Sequence, residues 1–329
     1  MNPGLHRLAI VAVFIAFVVI VLGAYVRLSH AGLGCPDWPG CYGQLTWPTQ
    51  AEEIVQANEA FPERPVESGK AWREMVHRYL AGALVLLVLA INFIAWKSES
   101  PSRTRLLAGG LLALILFQAA LGMWTVTLKL LPVVVMAHLL GGLATFSLLL
   151  WLAWSVRVPA VTATAGVYRS LRPMIIAGLL FLVAQIALGG WTSANYSALV
   201  CTEFPGCQGE LWPESNFRDG FTLFREIGVD YEGGVLDYSS RVAIHMTHRL
   251  GALVVFILIG ALSILLMKKP ASRKNGAILG AVLLAQVALG IQNVVLHLPL
   301  ANAVAHNGMA ALLLAAMLWP LYLSGRKAQ

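Results

Sequence analysis

Charge is scarce in this sequence. Only 12% of its 329 residues are Asp, Glu, Lys or Arg, about half the roughly 25% carried by a soluble domain, which excludes an ordinary water-soluble globule. Acids are the scarcer sign, 16 against 23 basic residues, for a net charge of +7. Cysteine is limited to four residues, so the chain is not a disulfide-dense secreted scaffold. Its apolar runs lack the period-2 alternation of barrel strands, which excludes an outer-membrane barrel. What remains is 58% hydrophobic, with a mean hydropathy of +0.73. That is the composition of a polytopic membrane protein.

A bilayer-spanning helix needs roughly 20 apolar residues. Eight segments qualify, near 8–26, 76–96, 106–127, 133–154, 173–193, 243–267, 276–295 and 303–323. The first follows His6 and Arg7, as a signal peptide would, but its apolar run exceeds the usual h-region of about 7–15 residues. It is read as a helix. The segment before span 1, the loops 2–3, 4–5 and 6–7, and the tail hold 13 of the 23 basic residues and one acid, Glu99. The other 15 acids lie in two long loops near 27–75 and 195–242. The positive-inside rule then puts both termini in the cytoplasm and the long loops outside. The positive charge belongs to topology and anionic lipid; no basic recognition element supports a nucleic-acid partner.

The halves of the chain repeat each other. Gly23 to Cys35 spans 12 residues, as does Gly189 to Cys201. Cys35-Pro-Asp-Trp-Pro-Gly-Cys41 matches Cys201-Thr-Glu-Phe-Pro-Gly-Cys207, and His77-Arg78 matches His248-Arg249. Gly122 to His138 spans 16 residues, as does Gly290 to His306. An even number of spans per half gives both the same orientation. The expected fold is all-α: eight transmembrane helices in two pseudo-symmetric four-helix bundles, with domains at 1–158 and 159–329. Gln118, Gln185 and Gln286 each stand four residues before a helix glycine, where span 1 has Val19. Their amides suit hydrogen bonds across helices or contact with a ligand.

His77, His138, His248 and His306 fall near the outer ends of spans 2, 4, 6 and 8. Strongly polar residues inside membrane helices are costly and usually mark function. Two imidazoles per bundle is the arrangement that holds a haem iron from both faces, within an apolar wall that tunes its potential. Zinc would need further Cys, Asp or Glu on these helices. His6 and His30 lack counterparts and read as interfacial. His297 aligns with Lys129 in a short outer loop, where each either meets a porphyrin carboxylate or is a solvated loop charge. Arg78 and Arg249 could bind a haem propionate bidentately or snorkel to headgroups.

The halves differ at one telling place. Glu74 precedes His77 by three residues, whereas His245 precedes His248; i, i+3 spacing puts each pair on one helix face. Glu74 is either a proton-handling carboxylate beside a reacting ring or a helix-start acid. The Cys-x5-Cys pairs fit two local disulfides on an oxidising side. Zinc held by all four cysteines and a redox-active pair stay open.

The whole chain resembles the haem A synthase family. The likeness rests on Gly23-Ala-Tyr-Val-Arg27-Leu, Gly34-Cys35-Pro-Asp-Trp-Pro-Gly-Cys41, Glu74-Met-Val-His77-Arg78, the duplicated eight-helix plan and the other three histidines. The resemblance implies a resident haem b, its iron held by His248 and His306. It implies haem O as substrate between His77 and His138, with Glu74 as the functional acid. The implied reaction oxidises a porphyrin methyl to a formyl group by successive hydroxylation, with haem b transferring electrons. It further implies a Cys35–Cys41 disulfide, a bacterial inner-membrane location, and contact with haem O synthase and cytochrome oxidase assembly factors. The competing expectation is a di-haem b-type electron carrier between quinol and an outer partner. A transporter fits less well, since proline lies mainly at span ends rather than mid-membrane.

Overall fold

The computed structural model describes residues 3–98, 100–157, 161–162 and 165–328. Glu99 and the expected domain boundary after 158 lie outside them. Eleven α-helices occur among the described residues: α1 (Pro3–Leu28), α2 (Ala51–Ala60), α3 (Ser68–Lys97), α4 (Ser102–Thr127), α5 (Pro132–Arg157), α6 (Ala165–Ser170), α7 (Arg172–Ala194), α8 (Phe217–Gly220), α9 (Tyr238–Met267), α10 (Arg273–Val295) and α11 (Leu300–Ser324). Eight of them, α1, α3, α4, α5, α7, α9, α10 and α11, are long and apolar enough to cross a membrane. A two-residue parallel pairing joins Val161–Thr162 to Lys327–Ala328.

Two spans begin earlier than their apolar runs. α3 starts at Ser68 and α9 at Tyr238, because hydrogen-bonded polar turns extend the helix beyond the apolar stretch. At α9, Asp237 is the N-cap: its carboxylate accepts the Ser240 N–H at 2.9 Å, satisfying an amide the helix leaves free. Hydrogen bonds from Ser240 and Ser239 hold Asp237 below the usual carboxylate range. His77 and His248 therefore sit more than two turns inside their helices rather than at the start.

The chain divides into two compact units, Asn2–Leu149 with Thr222–Val235, and Leu150–Phe221 with Leu236–Gln329. In the first, α1 packs on α3 and α3 on α4. α5 closes that ring through Phe17 and Phe146, 6.2 Å apart, and through Gln118, whose amide fills the space beside Gly141. In the second, α7 packs on α9 and α11, and α10 on both of those. Close approach there relies on Gly276, where a Cβ would stand 2.7 Å from the Met267 backbone nitrogen. Ser263 Oγ then donates to the Gly276 carbonyl at 2.8 Å. At the matching contact of the first unit, Asn92 Nδ2 donates to the Ala108 carbonyl at 2.8 Å.

Burial is uneven along the first unit. Leu5, Ala9, Ala12 and Ala16 are buried at one end of α1, whereas no residue of 17–25 is. α5 behaves likewise over 133–142. His77 and His138 are likewise intermediate in burial.

The loops repeat the same local design. Cys35–Cys41 and Cys201–Cys207 are disulfides, each with a Cα–Cα distance of 4.8 Å. In the first, Asp37 accepts the N–H groups of Tyr42 and Gly43; in the second, Glu203 accepts that of Gly209. Tyr42 and Gln208 both take φ near +55° (56° and 55°) ahead of Gly43 and Gly209 at 76° and 79°, the left-handed turn that glycine tolerates best. Burial, then Glu67 and Glu74, push the Tyr42 phenol up to about 12, so it stays a donor to the Pro65 carbonyl. Segment 222–235 belongs to the first unit although it comes from the second long loop. Tyr231 is buried among Leu33, Val126, Leu130 and Leu131 and donates its N–H to the Lys129 carbonyl at 3.1 Å. Arg64 pairs with Asp230 and Glu232 beside it.

Candidate haem-binding bundles

Each candidate histidine faces a glycine on the neighbouring helix. A Cβ on Gly23 would lie 2.9 Å from His77 Cε1, on Gly122 3.4 Å from His138 Cε1, on Gly189 3.1 Å from His248 Cε1, and on Gly290 3.0 Å from His306 Cε1. At Gly23 a Cβ would be closer than real Cβ atoms come, and at Gly189 and Gly290 the ring would have to give slightly, so glycine lets these rings approach the opposing helix. The glycine landmarks of the sequence repeat are thus the seats of the histidines. Their equal spacings were the available signal, although spacing alone does not reveal what each glycine touches.

Within each bundle the two histidines lie near each other. His138 lies near enough to His77 to act on it electrostatically, and His306 acts likewise on His248. All four residues are partly accessible rather than fully buried. The Nδ1 atoms of His77, His138 and His306 are buried without a hydrogen-bond partner. Imidazoles that come in pairs, two per bundle, and carry orphaned nitrogens fit a planar metal ligand taken from both sides. Among the described residues no group of three or more His, Cys, Asp or Glu converges, as a tetrahedral zinc site would need.

The two arginines have other partners than the carboxylate anticipated for them. Arg78 Nη1 donates to the carbonyls of Asp37, Pro39 and Gly40, and Nη2 to Glu74. Arg249 Nη1 donates to Pro205 and Gly206, and Nη2 to Cys201 and Glu203. Each guanidinium clamps the disulfide loop onto the helix that carries a histidine, and Arg249 Nε alone remains buried without a partner. Glu74 is 4% exposed. One of its oxygens takes Arg78, while the other accepts the Cys35 N–H at 3.0 Å. His245 occupies the matching turn of α9, yet its Nδ1 meets the Ser197 carbonyl at 2.8 Å. Among the described residues, it is the first unit that couples a buried carboxylate to its disulfide loop.

The glutamines prove to be neighbours of the histidines. Gln185 Nε2 lies 3.0 Å from His248 Nδ1, and Gln286 Nε2 lies 3.3 Å from His306 Nε2. Gln118 Nε2 is buried without a partner. Lys129 and His297 have φ of 48° and 57°; both are helix-ending residues, matched in backbone conformation as in sequence. His30 and Tyr196, at 52° and 53°, end α1 and α7 in the same way.

Fold and site together define a class: a multi-span membrane protein with paired imidazoles in each of two four-helix bundles. The profile of the COX15-CtaA family, cytochrome oxidase assembly proteins, matches residues 6–318, and the chain belongs to that family. The chain is 48% identical over 297 residues to the haem A synthase of Shewanella oneidensis, covering 90% of this chain and 89% of that one. It is 30% identical to the haem A synthase of a Caulobacter species, over 95% and 94% of the two chains. With the haem A synthase of Bacillus pumilus it shares 26% identity over 93% and 91%.

Proposed function

We propose that this protein is a haem A synthase that takes haem O into the bundle of His77 and His138 and keeps haem b in the bundle of His248 and His306. The observation that carries the assignment is the four-fold recurrence of a histidine seated against a glycine of the neighbouring helix, two histidines per bundle. When bound, haem b supplies one-electron transfer. The chain supplies the rest. His77 and His138 hold the substrate ring, and the apolar helices shelter its hydrocarbon tail. Glu74, one turn before His77 and hydrogen-bonded to Arg78 and Cys35, fixes the first loop over the site and offers a carboxylate for proton transfer. The substrate methyl is hydroxylated twice, to a hydroxymethyl and then a hydrated aldehyde, with oxygen from water and four electrons in all passing to an external oxidant, and loss of water gives the formyl group. Arg78 and Arg249 hold the loops that roof the two bundles, with Arg249 Nε the donor left for a propionate.

The distribution of basic and acidic loops supports a bacterial inner-membrane location with both termini cytoplasmic and the disulfide loops outside. Haem O is poorly soluble in water, so direct contact with haem O synthase and with cytochrome oxidase assembly factors fits its delivery and the use of the product. Purification with and without co-expressed haem O synthase, followed by pigment extraction and chromatography, tests the assignment. About one haem b per chain is expected, with haem O or haem A gained on co-expression. Two haem b per chain and no other pigment would instead identify a di-haem electron carrier.

A further inference from the structure

We propose that Gln185 is the positioning residue for His248 and so secures the permanently held haem, an inference that rests on the haem-binding assignment above. His248 is distinct among the four histidines. Its Nδ1 is engaged, by Gln185 at 3.0 Å, whereas Nδ1 of His77, His138 and His306 has no partner. Gln286 meets His306 at the other ring nitrogen, Nε2. In the first bundle, Val19 offers no polar group where Gln185 stands, and Gln118 Nε2 bonds to nothing. The amide tie is thus confined to the second bundle.

The chemistry follows from the imidazole itself. A metal on Nε2 requires the proton on Nδ1, and an acceptor for that proton fixes both tautomer and ring plane. Gln185 carries a spare acceptor, since its Oε1 is buried without a partner. Its Nε2 currently donates to the His248 backbone carbonyl at 2.9 Å. A half-turn of the carboxamide, with a small shift of Oε1 away from the His248 carbonyl, exchanges that bond for one from Nδ1–H to Oε1, and the two ends of an amide are nearly equal in shape. Gly251, one turn beyond His248, provides the room: a Cβ there would overlap Gln185 Oε1. Glutamine and glycine together form a seat for the amide in which either end can face the ring.

The test uses the purified full-length protein and its Gln185→Leu and Gln185→Glu variants. Haem loss to excess apomyoglobin and the midpoint potential of the retained haem are both followed by absorbance. Gln185→Leu should lose haem at least about tenfold faster, the size of effect usual when a ligand histidine loses its hydrogen-bond partner. Gln185→Glu, of the same shape, should retain haem at the parental rate and shift the midpoint to lower potential, because a carboxylate makes the imidazole more electron-rich and favours ferric iron. A Gln185→Leu protein with parental loss rate, or a Gln185→Glu protein with parental potential, would overturn the assignment of Gln185 alone. Parental protein that holds no haem would overturn the haem-binding assignment and this one with it.

Discussion

Each histidine is defined by what lies across from it. Replacing His306 with Ala removes one of two neighbouring imidazoles while leaving the Gln185 tie on His248 intact. The expected outcome is loss of the low-spin haem spectrum in the purified protein; an unaltered spectrum would remove His306 from the ligand set. Glu74 calls for a different readout, because its carboxylate touches Arg78 and the Cys35 amide rather than a histidine. Glu74→Gln keeps the shape and a hydrogen-bonding group but drops the charge. The resident haem spectrum should stay intact while haem A formed in cells falls by about a hundredfold, the low end of what a proton-handling carboxylate contributes; an unchanged yield would leave Glu74 as a tie between helix and loop. The histidines and Glu74 were legible in the sequence, since ionisable groups in apolar helices stand out against their surroundings. The partners of Arg78 and Arg249 were not. A guanidinium at a helix end suits a headgroup or a propionate, and here the donors also reach the carbonyls of a loop distant in sequence, Asp37 lying 41 residues from Arg78.

At the level of helices, the recurring device is a glycine on one span receiving a ring from the next. Gly290→Val should displace His306, since even a Cβ would reach 3.0 Å from its Cε1. Overpacking of this kind costs about 1–3 kcal/mol and should lower haem occupancy measured by absorbance. Gly82→Val, on a helix face with nothing within 4 Å, is the matched control and should leave occupancy unchanged. Equal occupancy in both would mean that the glycines serve helix packing alone. Span count and approximate ends followed from hydropathy. The starts of α3 and α9 did not, because their first turns are polar, that of α9 held by the Asp237 cap on Ser240. The short helices α2, α6 and α8 gave no apolar signal, since little of them is buried beyond Ala57, Ala165, Tyr168 and Gly220.

Across the whole molecule, the segment Thr222–Val235 departs from a simple split into halves, for it groups with Asn2–Leu149. Tyr231 anchors it in an apolar cluster, and Arg64 binds Asp230 and Glu232. Those ion pairs are partly exposed, so the Arg64 tie should contribute no more than about 1 kcal/mol per pair. Arg64→Ala should accelerate proteolysis within 222–235 without changing the resident haem spectrum, and Tyr231→Ala should do so more strongly because it removes buried apolar area. Limited proteolysis followed by mass spectrometry distinguishes the two. Equal resistance in both variants would mean that neither residue holds the segment.

The sequence alone was enough for the membrane class, the number of spans, the internal repeat and the choice of four candidate histidines, because hydropathy and repeat spacing are properties of the chain itself. Tertiary structure decided which glycine seats which ring, that a glutamine reaches His248, that the arginines clamp the disulfide loops, and that a loop from the second half joins the first unit. Those depend on contacts between residues far apart in the chain, where a difference of one ångström separates a hydrogen bond from a gap, and no periodicity along the sequence encodes such distances.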